Sequence, residues 1–476
     1  MISHGDHYEN LIIGSGEGGK YLAWHLARSG QRTAVIERKL VGGSCPNTNC
    51  LPSKNEIWSA KVADVTRHGE RFGSMTGPVR IDMARVLARK TAMVNDLIAI
   101  HLAAFRTSGA DLIMGTARLV APKTVSVSLN EGGERLLTTE RLFLNLGTHA
   151  AIPEIEGLSA AAPMTNIEAL ELDRLPEHLI VIGGGYVGLE LAQAFRRFGS
   201  AVTILDAGSQ LAMREDGDVG VSLLELMRDE GIEVHLSART VAVSGRSGEG
   251  VIVRVDLPEG QRTISGSDIL VAAGRIPNTQ AIGLEHAGVD TDSRGFIAVN
   301  ARLETSAPNV WAIGECAGSP QFTHASMDDF RVIRDNFAGG NRSTHDRMMP
   351  YCMFTDPPLA RVGLSEEEAI RKGLKIRVAR IPTASVLRSR TLSETRGFLK
   401  AVIGEDNRIL GFTMIGPEAG EVMGVVQMAM MAGMPYTALA NAVIAHPTMA
   451  EGLNVLFGGP LVSRDRPASQ ERTITI

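Results

Sequence analysis

Cysteine is scarce in this chain, four in 476 residues: Cys45, Cys50, Cys316 and Cys352. That is too few for the disulfide framework of a secreted domain and suits a reducing compartment, where a close pair is redox-active rather than a staple. Basic charge is not in excess either: 48 Lys and Arg stand against 53 Asp and Glu, for a formal net charge of -5. No basic face is left for a phosphate backbone, so the expected partners are small molecules and not nucleic acid. The start, Met1-Ile2-Ser3-His4-Gly5-Asp6-His7, lacks the basic segment, apolar stretch and cleavage site of a signal peptide, and a cytoplasmic location is expected. Long hydrophobic runs are missing too. Val422 to Ala445 is interrupted by Gly424, Gln427, Gly433, Pro435 and Asn441, so it falls short of a membrane span and reads as a buried helix.

What the chain does have is enough length for two or three cores, with 44% hydrophobic and 21% charged residues. One device occurs twice. Leu11-Ile12-Ile13 leads into Gly14-x-Gly16-x-x-Gly19, and Leu179-Ile180-Val181-Ile182 leads into Gly183-x-Gly185-x-x-Gly188. Each turn opens a helical pattern and then a strand ending in an acid, Glu37 or Asp206, 23 residues after the first glycine in both cases. The first glycine makes the tight turn, the second lets the backbone meet a pyrophosphate, and the third lets helix and strand pack closely. The acid holds a ribose hydroxyl. A lone glycine motif is often just a loop, but strand, helix and acid at matching offsets mark two dinucleotide-binding βαβ units.

Between the fingerprints, Asp82 to Ser108 is helical and Leu112 to Asn145 turns to short strands with a hairpin signal at Gly132-Gly133. Pro258-Glu259-Gly260 is a second turn, Leu270 to Asn278 closes the later unit, and Val310 to Glu315 returns to the first domain. A third segment from about Met348 mixes strands (Ala360 to Val362, Phe398 to Ile403, Ile409 to Ile415) with a Met-rich helix from Glu418 to Ala432. Arg464 to Arg472 reads as a loose tail. His178, His324 and His345 have no chemical context and are expected to be structural, and Cys316 and Cys352 to be buried small hydrophobes.

Cys45 and Cys50 lie in Gly42-Gly43-Ser44-Cys45-Pro46-Asn47-Thr48-Asn49-Cys50-Leu51-Pro52-Ser53-Lys54. A helix turn advances 3.6 residues, so five-apart cysteines approach only at a distorted first turn, which Gly42, Gly43 and Pro46 supply. A thiol at a helix start with Lys54 one turn along is held partly as thiolate. His446-Pro447-Thr448-Met449-Ala450-Glu451 is the third chemical motif: a histidine able to move a proton, with Glu451 fixing its tautomer.

In this order the motifs resemble the FAD-dependent pyridine nucleotide-disulfide oxidoreductases, from Tyr8 to Phe457. The resemblance implies two Rossmann-like dinucleotide-binding domains, for FAD and NAD(P), plus a C-terminal α+β dimerisation domain. Its boundaries are 1–150 (FAD, first part), 151–276 (NAD(P)), 277–347 (FAD and central, second part), 348–458 (dimerisation) and 459–476 (tail). It implies FAD at Gly14, Gly16, Gly19 and Glu37 and a nicotinamide nucleotide at Gly183, Gly185, Gly188 and Asp206, with Gly43, Ser44, Gly147, Gly274, Arg275, Gly314 and Glu315 also touching cofactor. Tyr186 matches a tyrosine that covers the flavin until nicotinamide displaces it. Hydride would pass from nicotinamide through flavin to a Cys45–Cys50 disulfide and on to a small disulfide substrate. Cys50 would be the thiolate against the flavin, Cys45 the attacking thiol, Lys54 and Glu190 an ion pair beside the ring. His446 and Glu451 would be the partner subunit's contribution in a homodimer.

Three departures stand out: Glu315 where the family usually has aspartate, Asn49 in place of a glycine, and Pro46. Phe354-Thr355-Asp356-Pro357 resembles the mercuric branch, yet no cysteine follows Cys352 and His446 stands where that branch has tyrosine. Reduction of thiol-bound Hg(II) or Cu(II) is the alternative, since thiolates prefer soft ions. A redox sensor without turnover and a flavin oxidase are further ones. Asp206 repels a 2′-phosphate and the next arginine is Arg214, so NADH is expected over NADPH, and no resident metal is expected.

Overall fold

Leu11-Ile12-Ile13 and Val35-Ile36 carry no polar side chain, and both become strands covered on each face. The computed structural model describes residues 6–464, apart from the side chain of Asp346. In chain order, β1 (His7–Ile13), α1 (Glu17–Arg28) and β2 (Thr33–Glu37) make the first βαβ unit, with Leu11 opposite Ala34 in a parallel ladder. A one-turn α2 (Ser44–Asn47) precedes α3 (Cys50–Arg67) and α4 (Met83–Ser108). Asp82 caps α4 by accepting from Arg85 N, and Gly109 ends it at φ 81°. Then β3 (Asp111–Ala121), β4 (Thr124–Leu129) and β5 (Glu134–Leu144) form a meander, followed by β6 (Thr148–Ala150) and α5 (Asn166–Ala169).

The second βαβ unit is β7 (His178–Ile182), α6 (Tyr186–Phe198) and β8 (Ala201–Leu205). It continues through α7 (Gly217–Asp229), β9 (Glu233–His235), a three-stranded antiparallel sheet of β10 (Arg239–Arg246), β11 (Gly250–Leu257) and β12 (Gly260–Gly266), and β13 (Asp268–Val271). Next come β14 (Arg275–Pro277), α8 (Leu284–Ala287), β15 (Val310–Ala312) and α9 (Thr323–Phe337). The last third contains β16 (Pro350–Met353), β17 (Leu359–Gly363), α10 (Glu366–Arg371), β18 (Ile376–Pro382), α11 (Leu387–Thr391), β19 (Phe398–Gly404), β20 (Ile409–Ile415), α12 (Ala419–Met431), α13 (Tyr436–Ala440), α14 (Gly452–Gly458) and β21 (Val462–Arg464).

Two units emerge. The first gathers residues 6–154, 158–175 and 270–347. Its strands β15, β5, β1, β2 and β3 run parallel, while β4 joins the far halves of β3 and β5. Leu11 and Ile13 point into one core with Leu142 and Leu144, and Ile12 and Val35 into another with Leu22, Trp24 and Phe143, the alternation a two-sided sheet demands. The second unit gathers 155–157, 176–269 and 348–464. It holds the sheet β13-β7-β8-β9 and a six-stranded antiparallel sheet, β16-β17-β20-β19-β18-β21. Behind the latter sit Val422, Met423 and Val426 of α12 with Leu453 and Leu456 of α14.

Three expectations need correction. Val422 to Ala445 is not one buried helix: α12 stops at Met431, Gly433 turns the chain at φ 65°, and Pro435 starts the short α13. Met428, Met431 and Val443 on this stretch are exposed. The tail assigned to 459–476 begins too early, because Val462–Arg464 pairs with β18; residues 465–476 lie outside the described part. Cys316 is buried as expected, but Cys352 is only half-buried on β16. Among the described residues no helix is long and apolar enough to cross a membrane.

Candidate active site

The first Gly-rich turn is built to exclude side chains. Gly14 sits at φ +97°, and a Cβ there would come within 2.3 Å of the Asn145 carbonyl oxygen; at Gly19 it would meet the Gly14 oxygen at 2.5 Å. Gly43 packs so closely that its Cβ would lie 2.6 Å from the Gly16 Cα, which seats the cysteine loop directly on the fingerprint. Ser15 ties the two together, donating from Oγ to Glu37 at 2.7 Å and accepting from Gly42 N at 2.9 Å. Glu37 also accepts from Ser15 N, Lys39 N and Leu40 N at 3.0, 2.9 and 3.1 Å. Asn145, which no motif announced, accepts from Gly19 N at 3.1 Å and donates to the Ile313 carbonyl at 2.9 Å. This cradle, a glycine turn at the start of the 12-residue α1, fits a dinucleotide pyrophosphate.

Both cysteines belong to this unit. Gly42 and Gly43 take φ 98° and 75°, α2 carries Cys45 for one turn, and the chain breaks at Asn49 (φ -125°, ψ -98°) before Cys50 opens α3. Cys45 and Cys50 therefore lie on separate helical segments, as the five-residue spacing requires. Asn49, the odd residue in this motif, accepts from Asn166 Nδ2 at 3.0 Å and Thr48 Oγ1 at 3.1 Å, so α5 straps the break. Ser44 heads α2, its carbonyl accepting from Thr48 N and Asn49 N, each at 2.9 Å.

Both sulfurs are half-buried. A hydrogen bond from Cys45 holds the Cys50 thiol down to about 6, helped by Thr323 and the Lys54 cation and opposed by burial and by Glu315. Cys45 moves the opposite way, raised by its bond to Cys50 and by burial. Thr323 Oγ1 lies 3.2 Å from Cys50 Sγ. One sulfur is thus tuned for the thiolate and the other for the thiol.

Glu315 turns toward Thr148, whose hydroxyl it accepts, and toward Arg275, whose Nε is 3.5 Å away. Arg275 also donates to Thr148 Oγ1 at 2.7 Å and to its carbonyl at 2.9 Å, so it serves the first unit. Gly147 (φ +67°) pairs its carbonyl with Asn278 N at 3.0 Å, and Gly274 (φ +120°) with Ala151 N at 2.9 Å. Gly314 N donates to buried Asp329 at 2.7 Å.

In the second unit, Gly183 turns at φ 111° and Asp206 accepts from Gly184 N and, at 2.6 Å, from Gly208 N. A Cβ at Gly185 would meet nothing within 4 Å, the open side a pyrophosphate needs, and Gly188 is buried in α6. Tyr186 opens α6 with its hydroxyl 2.8 Å from Glu215, a buried carboxylate also bound by Tyr351 at 3.0 Å and Arg361 at 3.3 Å. Glu190 is buried and accepts from Phe354 N at 2.7 Å. His446 Nδ1 and Glu451 Oε2 are 2.7 Å apart, the imidazole 64% exposed and the carboxylate 15%, so the ring is held at one nitrogen and offered at the other. Among the described residues no group of three or more His, Cys, Asp or Glu could hold a metal ion.

The sequence profile of the pyridine nucleotide-disulphide oxidoreductases matches residues 8–329, and that of their dimerisation domain matches 349–456. The chain belongs to this family. Like its other members it is a flavoprotein disulfide reductase that binds FAD and NAD(P)H, and its dimerisation domain makes it a homodimer. It is 37% identical over 458 residues to the probable pyridine nucleotide-disulfide oxidoreductase RclA of Escherichia coli (strain K12), covering 94% of this chain and 98% of the relative. It is 32% identical over 452 residues to the mercuric reductase of Streptomyces lividans (94% and 95% covered). The dihydrolipoyl dehydrogenase of Geobacillus stearothermophilus is 31% identical over 459 residues (95% and 97%). Among solved structures, the Cu(II) complex of the HOCl-induced flavoprotein disulfide reductase RclA from E. coli superposes with a TM-score of 0.86 at 35% identity, covering 95% of this chain and 99% of that one.

Proposed function

We propose that this oxidoreductase uses NADH to reduce a small disulfide through Cys45 and Cys50 in the cytoplasm. The observation that carries the reading is the placement of the two thiols, Cys45 on α2 and Cys50 at the start of α3, both half-buried on a loop that Gly43 seats against the first glycine turn. Bound FAD supplies the two-electron exchange between nicotinamide and sulfur, and the first glycine turn, Glu37, Gly43, Ser44, Gly147, Gly314 and Glu315 are the residues that would hold it. The second turn and Asp206 would hold NADH; the carboxylate, anchored by two backbone N–H groups, disfavours a 2′-phosphate. Lys54 and Glu190 would form the ion pair beside the ring, and Tyr186 would cover it.

Cys45 as thiolate attacks one sulfur of the substrate, and a mixed disulfide forms as the first substrate thiolate leaves. Cys50 then attacks Cys45, restoring the Cys45–Cys50 bond and releasing the second substrate thiol. His446, from the partner subunit, takes the proton from Cys45 and returns it to the leaving sulfur, while Glu451 keeps the ring oriented. His446→Ala should leave NADH-driven bleaching of the flavin intact and slow the disulfide half-reaction by about 10² or more in stopped flow. Equal losses in both halves would overturn the assignment.

A second reading, Cu(II) as electron acceptor, is favoured by the Cu(II) complex of the E. coli relative. Steady-state assays with NADH against lipoamide, glutathione disulfide and Cu(II) separate the two; a sensor would be reduced once and stall.

A further inference from the structure

We propose that Thr323 is a further catalytic residue: its hydroxyl is the fixed hydrogen-bond donor that keeps Cys50 a thiolate, and it sets the pH at which the reduced pair becomes reactive. The inference rests on the reading of Cys50 as the thiolate of the pair.

The contact itself is short, Oγ1 to Sγ at 3.2 Å. A thiol and a hydroxyl can share a proton either way, but an ionised sulfur has none to give, so with Cys50 charged only the Thr323 O–H donates. A hydrogen bond to an anion is about twice as strong as one between neutral groups and stabilises the charged form alone. The groups facing Cys50 come from four places in the first unit. Cys45 on α2 donates its thiol proton, Lys54 on α3 brings a cation, Thr323 opens α9, and Glu315 on the turn before α9 brings an opposing anion.

Of the three that favour the thiolate, Thr323 alone is constant. The donation from Cys45 disappears when that sulfur attacks substrate or closes the disulfide. Lys54 sits at the end of a four-carbon stem. Thr323 is β-branched, hence stiff at χ1, and it heads a helix anchored by the next turn: Ser326 Oγ accepts from Gly18 N at 3.0 Å, and Asp329 is fully buried against Gly314 N. As the first residue of the 15-residue α9, it also places the positive end of the helix dipole beside the sulfur.

The test compares reduced holoenzymes of wild type, Thr323→Val and Thr323→Ser, reading the thiolate-to-flavin charge-transfer absorbance against pH. Valine should raise the midpoint by about one unit, leaving about tenfold less thiolate below it, and serine should restore the wild-type curve. An unchanged midpoint in the valine variant, with FAD retained, would overturn the role of Thr323 while leaving Cys50 as the thiolate. Absence of the band in wild type at every pH would instead overturn the reading of Cys50, and this inference with it. If valine displaces FAD, Thr323→Ala is read the same way, and alkylation of the reduced pair by iodoacetamide against pH gives a midpoint independent of the flavin.

Discussion

Glu315 is one methylene longer than the aspartate usual at its position, and the extra reach is spent on Thr148 and Arg275. The same carboxylate opposes ionisation of Cys50. Glu315→Gln removes a negative charge near a developing anion, so the Cys50 thiolate should persist to lower pH than in wild type, seen as a downward shift of the charge-transfer midpoint. Cys316, its neighbour in sequence, behaves differently. Full burial pushes its thiol up to about 11, so it should resist iodoacetamide in the native protein at pH 8 and react only after denaturation. Residues of this kind also mark what the sequence can and cannot reveal. Gly14, Gly19, Gly183 and the two acids were legible because turn, helix and strand follow one another locally. Thr323 touches a sulfur 273 positions away, and Asn145 joins partners 126 and 168 positions away. No spacing rule encodes such contacts, since they are made by the sheet that brings distant loops to one edge.

At the scale of elements, the α3–α4 pair buries a carboxyl. Glu56 on α3 is buried, and burial holds its carboxyl up at about 8 despite Lys90 on α4, which itself pairs with Glu171 at 2.5 Å. Its folded pKa lies above the unfolded value of 4.5, so the native state binds the extra proton. Its contribution is fully present below pH 4.5 and is lost as pH rises through 8. Glu56→Gln should remove that loss, so its Tm advantage over wild type should grow between pH 5 and 9 in thermal melts. The strap of α5 on the helix break is a second elemental feature: Asn166 donates to the Thr48 carbonyl at 2.9 Å as well as to Asn49. Asn49 read as an anomaly in the sequence because its partner lies on another element. The interruption at Gly433 and Pro435 was visible as residues, but not its outcome, since a membrane-free apolar stretch gives no sign of which turns it leaves uncovered.

For the whole molecule, the family assignment makes two chains the functional unit, and the proposed placement of His446 across the interface has a quantitative consequence. Mixing Cys45→Ser and His446→Ala subunits, each inactive alone, should restore about a quarter of wild-type turnover. Half of the random dimers are then mixed, and each mixed dimer has one intact site. No recovery after unfolding and co-refolding would mean that thiols and histidine act within one chain. The exposed Met428, Met431 and Val443 belong to the segment matched by the dimerisation profile.

β6 precedes and β14 follows the long stretch 176–269, and these two strands of the first unit lie side by side, Thr148 against Pro277 and Ala150 against Arg275. The segments before and after that stretch are therefore held side by side within one unit, by a ladder the intervening residues take no part in. Replacements confined to 176–269, Asp206 among them, thus leave both ends of that excursion clasped as before.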